Sequence, residues 1–383
     1  MSSKTPIPDA DVAPEANRLI GVLGAGQLGR MLALAGIPLG YRFRFVDPSP
    51  NAPAAAVGEQ ITCGYDDPQA HAALSQCDVV TYEFESVPVE AAAALEARVA
   101  VFPPAFALRV AQDRLEEKSC FRQLGIGTAA FQAVASLEDL TTAVAELGLP
   151  AVLKTRRLGY DGKGQFVLTH ASDIPQAWAA VGQAPSILEG FVRFERELSL
   201  IAVRGRAGEV AFYPLVENHH RRGILRKTLS PAPALTMDLQ AAAETYAARV
   251  LDHLNYVGVL ALEFFETGGM LLINEIAPRV HNSGHHSIEG SRTSQFENHL
   301  RAILGLPLGD PSALAHSCML NLVGTLPKSE AVLAVPDTHL HLYGKSPRPG
   351  RKVGHITVRA NGEAELAKRV AALEAIPGVC EPE

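Results

Sequence analysis

The sequence predicts an α/β unit with a parallel sheet at its amino-terminal end, followed by α+β structure. Three observations indicate this fold class. Residues 18–110 alternate short apolar runs with helix-forming stretches, glycine-containing hairpins follow as far as residue 277, and short strands with one last helix make up the chain from 316. The 383 residues, 47% of them hydrophobic, suffice for two or three domains with sizeable cores.

The elements follow from apolar periodicity and from glycine and proline positions. In the first unit, the pattern predicts strands at 19–23, 42–46, 78–82 and 99–102 and helices at 27–36, 67–75 and 88–97. Beyond it, we expect helices at 105–124, 136–148, 238–254, 294–304 and 363–375, strands at 149–154, 165–169, 186–192, 196–204 and 209–220, a hairpin at 259–277, and short strands in "HLHLYG" and "KVGHITV".

Composition excludes several classes of protein. The net charge of −7 and pI of about 6.0 argue against nucleic acid as a partner. No apolar run approaches the ~20 residues that a membrane span needs. The five cysteines are scattered without a C-x-x-C pair, which indicates reduced thiols in a cytoplasmic protein and no zinc site. Residues 1–17 contain proline and acidic residues but no apolar segment, so we expect a disordered tail and no secretory signal.

The stretch "GVLGAGQLGRM" at 21–31 has the spacing of a dinucleotide-binding turn. Gly24, Gly26 and Gly29 follow a predicted strand and open a predicted helix, and Asp47 ends the next strand. Such a turn presents backbone N–H groups at a helix N-terminus, where anions bind. A dehydrogenase is therefore one candidate function, but it accounts for residues 20–47 alone.

Two glutamates face each other in the predicted hairpin at 259–277. The turn centres near Gly268 and Gly269, so Glu263 and Glu275 lie almost opposite each other on one face. Opposed like charges destabilise a hairpin unless a cation lies between them. Mg²⁺ held by these carboxylates together with nucleotide phosphates fits best. The alternative is that one glutamate forms an ion pair with an arginine such as Arg279.

A glycine-rich loop, "GYDGKGQ" at 159–165, connects two predicted strands. A loop inside a hairpin is not a P-loop, which must open a helix. Its glycines nevertheless leave backbone N–H groups free to approach phosphate, and Lys154 before it adds a positive charge. A mobile surface hairpin is the alternative.

Polar and basic residues cluster at two further places. "NEIAPRVHNSGHH" at 274–286 lacks the spacing and the cysteines of a zinc site, and its donors suit an oxyanion such as bicarbonate or phosphate. "GKSPRPGRKVGH" at 344–355 is basic. It is either a solvated loop or a phosphate-binding one, and charge alone does not decide between them.

Together these motifs, spread over residues 20–357, resemble the ATP-grasp superfamily and, within it, the N5-carboxyaminoimidazole ribonucleotide synthetase family. The motifs are "GxGQLGRM", "TYEFE", "QDRLEEK", "LKTRRLGYDGKGQ", "EGFVRFERELS", "ENHHRRGIL", "YVGVLALEFF", "NEIAPRVHNSGH" and "TSQFENHLRA". The first, second and eighth in combination are specific to this family. Gly127 and Ala130, where the family tends to have prolines, and "FESVP" for "FENVP" are departures that touch no proposed ligand.

The resemblance implies an ATP- and bicarbonate-dependent carboxylation of 5-aminoimidazole ribonucleotide through carboxyphosphate, in purine biosynthesis. It also implies ATP and Mg²⁺ as cofactors and a cytoplasmic homodimer. The implied organisation is a Rossmann-like pre-ATP-grasp domain at 18–112, an ATP-grasp domain of two α+β subdomains at 113–310 with its lid at about 128–195, and a small β-rich domain at 311–383.

Site residues are carried over from the family by motif. Glu197 would bind the ribose hydroxyls of ATP, and Glu189 to Val192 would bind adenine. Asp161 would orient or deprotonate the amine of the aminoimidazole. The resemblance assigns to ATP Arg114, Lys154, Gly159, Tyr160, Asp161, Gly162, Lys163, Gly164, Gln165, Glu189, Gly190, Phe191, Val192, Glu197, His220, Asn274 and Glu275; to catalysis Asp161, Arg279, His281, Asn282 and Glu83; to the ribonucleotide Gln27, Leu28, Tyr160, Asp161, Lys345 and Arg351; and to the metal Glu263 and Glu275.

Other ATP-grasp carboxylases or transformylases remain as alternatives, such as biotin carboxylase or the formate-dependent glycinamide ribonucleotide enzyme. "TYEFE" and "NEIAPRVHNSGH" favour the synthetase by resemblance. A non-catalytic nucleotide sensor is the other alternative, and the presence of Glu263, Glu275 and Lys154 argues against it. In the synthetase, Asp47 has no cofactor ribose to bind.

Overall fold

The computed structural model describes residues 17–159 and 164–380, which form three sheets. The first is parallel, in the order β3-β2-β1-β4, as the alternating pattern predicts. Residues 99–102 contribute only a bridge from Val101 to Val80, because Pro103 and Pro104 end the extended segment. The elements of this unit are β1 (Leu19–Leu23), α1 (Gln27–Gly36), β2 (Arg42–Val46), β3 (Glu59–Ile61), α2 (Pro68–Leu74), β4 (Val79–Tyr82) and α3 (Val89–Glu96).

The predicted helix at 105–124 is wrong as a single helix, because it breaks at Asp113 into α4 (Ala105–Gln112) and α5 (Arg114–Gln123). Asp113 adopts extended backbone angles and caps α5, its carboxylate accepting the N–H groups of Leu115 and Glu116. The same carboxylate accepts two hydrogen bonds from the Arg156 guanidinium, at 2.9 and 2.7 Å. The break therefore ties the start of α5 to the strand that precedes the glycine-rich loop.

The second sheet is antiparallel, in the order β5-β8-β6-β7. Lys154 pairs with Gln165 across β6 and β7, so the glycine-rich loop does connect a hairpin. Leu153, Leu168 and Trp178 are buried between this sheet and its two helices. The elements are β5 (Phe131–Val134), α6 (Leu137–Leu147), β6 (Ala151–Thr155), β7 (Gln165–Leu168), α7 (Ile174–Ala180) and β8 (Ser186–Gly190).

The third sheet has nine strands, in the order β14-β13-β9-β11-β12-β15-β17-β16, with β10 also on β9. The predicted strand at 209–220 is wrong as one strand, since Pro214 lacks the N–H that a continuous ladder requires. The strands are β9 (Arg196–Arg204), β10 (Val210–Phe212), β11 (Val216–Arg221), β12 (Ile224–Ser230), β13 (Gly258–Thr267), β14 (Met270–Ala277), β15 (His316–Val323), β16 (Thr338–Leu342) and β17 (Lys352–Ala360).

The carboxyl-terminal strands continue the nine-stranded sheet through the pairing of β12 with β15. Residues 278–290, which follow β14 at one edge, reach strands at the other end: the side chains of Asn282 and Asn321 exchange hydrogen bonds, and Glu289 lies 2.7 Å from a ring nitrogen of His341. The helices are α8 (Met237–His253), α9 (Ser287–Gly290), α10 (Gln295–Leu304), α11 (Ser329–Leu333) and α12 (Glu363–Glu374), and short 3-10 helices lie at Ile37–Leu39, Pro53–Ala56, Ala171–Asp173 and Asn282–Gly284.

Among the helices of the described residues, none is both long and apolar enough to cross a lipid bilayer.

A buried histidine joins the first unit to the third sheet. His299 on α10 accepts the N–H of Val259 at Nδ1, so its proton lies on Nε2, which donates to Thr81 at the end of β4. Burial lowers the pKa of His299 to about 3. It also lowers the pKa of His286, which is buried as well, to about 4. Both rings are therefore held neutral in the folded protein.

We expect acid to destabilise the fold below the ordinary histidine pKa. In the unfolded chain both histidines bind a proton near pH 6.5, whereas in the folded protein they stay neutral at that pH. Their contribution to the free energy of unfolding is therefore fully present above pH 6.5 and is lost as the pH falls. His286 and His299 together should cost about 2.5 kcal/mol between roughly pH 7 and pH 5.5. Urea midpoints measured across this range test the expectation.

His299→Gln is the matched variant, since the amide keeps an acceptor and a donor but does not titrate. Its stability should fall less steeply with pH than that of the parent, by about one proton. Equal slopes for the two proteins would contradict the assignment of His299 as a neutral, buried group.

Candidate active site

The two glutamates of the third sheet form the centre of the site. Glu263 on β13 pairs with Glu275 on β14, which confirms the predicted cross-strand pair. The register then shifts, because Phe264 pairs with Ile273 and leaves Asn274 as an extra residue in a β-bulge. Bulges redirect side chains next to active sites. Here the bulge places Asn274 beside the glutamate pair.

Each glutamate has its own cationic or polar neighbour. Arg114 donates to Glu275 at 2.9 Å, and His281 lies 3.2 Å from Glu263. Burial raises the pKa of Glu263 to about 7, and Glu275 adds to the rise. Burial also opposes ionisation of Glu275, but Arg114 outweighs it and lowers the pKa of Glu275. The alternative pairing with Arg279 is not observed, since Arg279 donates instead to Glu85 at 2.6 Å.

The donors present suit a magnesium ion. The Oδ1 atom of Asn274 is buried and has no hydrogen-bond partner among the described residues, so an oxygen ligand is available beside the two carboxylates. Within the same described residues no group of three His, Cys, Asp or Glu side chains forms a complete metal cage. Mg²⁺ is commonly held by one or two carboxylates with nucleotide phosphates supplying further ligands, and this donor set matches that pattern.

Helix α5 supports the site with two buried residues that the sequence reasoning missed. Glu117 accepts the N–H of Ile276 at 2.7 Å, and burial, with Glu275 nearby, raises its pKa well above the usual range. Lys118 contacts Thr128 at 2.9 Å and Glu189 at 3.5 Å. Both residues belong to the motif "QDRLEEK", and their positions three and four residues after Arg114 place all three on one helix face. That spacing was the available signal.

Glu189, at the end of β8, lies between Lys118 and Lys154. Its Oε2 atom lies 3.0 Å from Lys154 and 3.5 Å from Lys118, whereas its Oε1 atom is buried without a partner among the described residues. Burial opposes its ionisation, but the two lysines together lower the pKa of Glu189. A carboxylate beside two ammonium groups, with one oxygen free, can accept a hydrogen bond from a ligand.

Residues 191–195 follow β8 and lead from the second sheet to β9 of the third. The N–H of Phe191 donates to Pro150, and the Phe191 side chain is exposed, as is that of Phe194. Farther along, Glu197 on β9 contacts Nδ1 of His220 on β11. Burial lowers the pKa of His220, but the Glu197 contact outweighs this effect and raises it overall.

Arg279, His281 and Asn282 follow β14 at one end of the carboxylate pair. Ser283 donates its N–H to Nδ1 of His281, so the ring proton lies on Nε2 and faces Glu263. Burial lowers the pKa of His281 far below its usual value, which keeps the ring neutral. The structure therefore brings His281 next to the predicted metal pair, with Ser283 as a positioning contact, whereas Arg279 contacts Glu85 and Asn282 contacts Asn321.

The dinucleotide-type turn holds a carboxylate of the protein itself. Glu83 accepts backbone N–H groups from Gly26, Leu28 and Gly29 at 2.8, 3.1 and 3.1 Å. Gln27, the first residue of α1, contacts the ammonium group of Lys345. Burial lowers the pKa of Lys345 to about 8, with Glu83 opposing the shift.

The remaining predicted residues are placed as follows. Arg351 lies in the turn before β17 and donates to the carbonyl of Ser346 at 3.2 Å. Gly159 accepts a hydrogen bond from Arg114 at 3.3 Å. Gly164 accepts the N–H of Thr155 and has a φ of +70°, which favours glycine. Tyr160, Asp161, Gly162 and Lys163 lie outside the described residues.

Known proteins resemble this chain along nearly its whole length. Family models match as a ribonucleotide synthetase preATP-grasp domain at 18–112, an ATP-grasp domain at 119–296 and a phosphoribosylaminoimidazole carboxylase C-terminal domain at 317–369. The N5-carboxyaminoimidazole ribonucleotide synthase of Pseudomonas aeruginosa is 56% identical over 93% of this chain and 99% of its own length. That of Bacillus subtilis is 40% identical over 92% and 94%.

Solved structures of the same family have the same fold as this chain. The N5-carboxyaminoimidazole ribonucleotide synthetase of Thermus thermophilus superposes with a TM-score of 0.91 at 55% identity, covering 95% of this chain and all (100%) of that one. The Aspergillus clavatus enzyme, in complex with ADP and 5-aminoimidazole ribonucleotide, has a TM-score of 0.86 at 32% identity, covering 93% and 98%. The predicted fold class and the predicted ATP-grasp ligase activity are confirmed. The chain belongs to the N5-carboxyaminoimidazole ribonucleotide synthase family.

Proposed function

We propose that this chain carboxylates 5-aminoimidazole ribonucleotide with ATP and bicarbonate, releasing ADP and phosphate, and that the residues of the candidate site divide the task as follows. The observation that carries the proposal is the Glu263–Glu275 pair with Asn274 beside it. Arg114 contacts Glu275 and His281 contacts Glu263, and Arg279 and Asn282 flank His281 in the chain. Nucleotide phosphates would bind near Arg114, and a small oxyanion would bind next to them, near His281.

The carboxylate pair and its cations would bind the nucleotide phosphates. Glu263 and Glu275 would hold Mg²⁺ with the Asn274 oxygen nearby, and the bound ion would neutralise charge on the phosphates during transfer. Lys154 would leave Glu189 to meet the phosphates, since its ammonium group is only partly buried. His220, with its raised pKa, would add a further donor.

Adenosine would bind at the end of β8 and beside the residues that follow it. The free Oε1 atom of Glu189 and the backbone groups of residues 190–192 would contact adenine, and Glu197 would accept the ribose hydroxyls. Gly164 and Gln165, at the carboxyl end of the glycine-rich loop, would also contact phosphate.

Bicarbonate would bind between the carboxylate pair and Arg279. The guanidinium of Arg279 supplies charge, and the Nε2–H of His281 and the amide of Asn282 supply hydrogen-bond donors. Attack of a bicarbonate oxygen on the γ-phosphorus of ATP forms carboxyphosphate and releases ADP. Transfer of the carboxyl group to the exocyclic amine then releases phosphate, and the amine loses one proton.

The ribonucleotide would lie between the first unit and the basic loop after β16. Lys345 and Arg351 would bind its 5′-phosphate, with Gln27 fixed beside Lys345 and the buried Leu28 side chain behind it. The N–H of Leu28 already donates to Glu83 and is not available to the substrate. Tyr160 and Asp161 remain assigned to the aminoimidazole, with Asp161 as the residue that orients or deprotonates its amine.

We also propose the homodimer and the cytoplasmic location that the resemblance implies. Light scattering coupled to size exclusion tests the first, and a mass of one chain, 40.8 kDa, would reject it.

A coupled assay of ADP release tests the proposed reaction. We expect turnover only when ATP, bicarbonate and 5-aminoimidazole ribonucleotide are all present, because the amine is the final acceptor of the carboxyl group. The control replaces 5-aminoimidazole ribonucleotide with its ribose 5-phosphate portion. Unchanged ADP release without the aminoimidazole would show that the second substrate is wrongly assigned.

A further inference from the structure

The resemblance places Glu83 among the catalytic residues with Arg279, His281 and Asn282, around the bicarbonate, yet its carboxylate already accepts three backbone N–H groups. Oε1 accepts the N–H of Gly26, and Oε2 accepts those of Leu28 and Gly29. The side chain is buried, at 8% exposure. A carboxylate in this position satisfies N–H groups that open a helix and that have no partner within the helix itself.

The carboxylate of Glu83 leaves no room for a side chain at two glycines of the turn. A Cβ atom on either Gly24 or Gly26 would lie 2.7 Å from Oε1 of Glu83, closer than real Cβ contacts. Gly24 also has a φ of +101°, which favours glycine. The spacing that resembles a dinucleotide-binding turn therefore makes room for a side chain of the same protein.

A role as a direct bicarbonate ligand conflicts with this arrangement. Bicarbonate is itself an anion, so a neighbouring carboxylate repels it unless a cation intervenes. The positive charge of Arg279 also acts on Glu83, but the hydrogen bonds of Arg279 go to Glu85 and to the carbonyl of Val280 and not to Glu83. Glu83 instead lies close to Lys345, whose positive charge opposes the effect of burial on the pKa of Glu83.

We propose that Glu83 is a positioning residue for the ribonucleotide-phosphate subsite: by capping α1 it fixes Gln27, and through Gln27 and its own charge it holds Lys345 in place. The inference rests on the proposed function for the identity of the ribonucleotide. Glu83 accepts the N–H of Gly26 at the start of α1, and Gln27, the next residue, contacts Lys345. These contacts link the first unit to the loop after β16.

Steady-state kinetics of Glu83→Gln separate the two roles. The amide presents an N–H group toward backbone donors, so the cap weakens while the size of the side chain is kept. We expect KM for 5-aminoimidazole ribonucleotide to rise about tenfold, as for loss of one charged hydrogen bond, with KM for bicarbonate and for ATP within about twofold of the parent. A selective rise in KM for bicarbonate would overturn the proposal.

Asp47→Asn is the matched control on the same turn. Asp47 accepts the N–H of Ala25 at 3.0 Å but does not contact Gln27 in the structure. We expect its KM values to stay at those of the parent. Equal rises in the two variants would show that the turn as a whole is sensitive, and would overturn a specific role for Glu83.

The double variant Glu83→Gln/Lys345→Met tests whether Glu83 acts through Lys345. We expect it to have the same KM for 5-aminoimidazole ribonucleotide as Lys345→Met alone, because the second change removes what the first one positions. Independent, multiplying effects would overturn the proposal. The parent enzyme is assayed first: if its ADP release does not require 5-aminoimidazole ribonucleotide, the proposed function has failed, and that failure is visible before any variant is compared.

Discussion

Glu275→Gln is expected to lower kcat at least about a thousandfold, equivalent to ~4 kcal/mol, because we propose its carboxylate as a ligand of the Mg²⁺ that assists phosphoryl transfer. The change also leaves Arg114 without its anionic partner at 2.9 Å. Glu117, whose carboxyl group is held by the N–H of Ile276 on the same strand, should still keep β14 in register. Activity is followed by ADP release at saturating substrates, and folding by circular dichroism.

Glu217→Gln is the matched control for this variant. Glu217 lies on β11 of the same sheet and pairs with Arg196 at 3.3 Å, as Glu275 does with Arg114. Loss of that ion pair should leave kcat within about twofold of the parent, because neither residue is assigned to a substrate or to the metal and Arg196 keeps Glu266 as a partner. A folded Glu275→Gln protein with full activity would reject the metal assignment.

Glu189→Gln is expected to destabilise the protein by about 3 kcal/mol in the absence of nucleotide, because it leaves a buried ammonium group without its counter-ion. Lys118 is only 1% exposed and lies 3.5 Å from Glu189. Burial already lowers the pKa of Lys118, so the variant should recover part of its stability at high pH, where Lys118 can lose its proton. Denaturant unfolding at neutral and alkaline pH measures both effects.

The double variant Lys118→Met/Glu189→Leu should be more stable than Glu189→Gln, since it removes both buried charges together. Lys227→Met is the control on the surface, where the ammonium group lies 3.2 Å from Glu374, and it should cost less than about 1 kcal/mol. A double variant that is less stable than Glu189→Gln would contradict the counter-ion role.

Local pattern was enough to predict much of the fold and the centre of the site. The parallel sheet follows from alternating apolar runs, and the Glu263–Glu275 pair follows from counting outward from Gly268 and Gly269. The bulge at Asn274 was not predicted, because a single extra residue in a strand leaves no composition signal. The roles carried over from the family for the glycine-rich loop stay predictions, as Tyr160 and Asp161 lie outside the described residues.

Two features that the sequence pattern did not predict have the same physical origin. The helix break at Asp113 depends on Arg156, which is 43 residues away, and the cap on α1 depends on Glu83, which is 57 residues from Gly26. A side chain that satisfies backbone groups so far along the chain cannot be found from local periodicity. Glu117 and Lys118 were different, since their helical spacing from Arg114 was visible and was not used.

The nine-stranded sheet gives the site its shape in a way that no single residue does. β14 and β16 are its two outermost strands along the main path, yet residues 278–290 connect the first to the strands around the second. Neighbouring strands twist by about 20° each, so successive rotations accumulate across the sheet and can bring distant edges toward one another. The candidate site thus draws on both ends of one sheet, which residues 278–290 connect. The spacing of the candidate site residues therefore depends on the twist of the whole sheet as well as on the contacts of each residue.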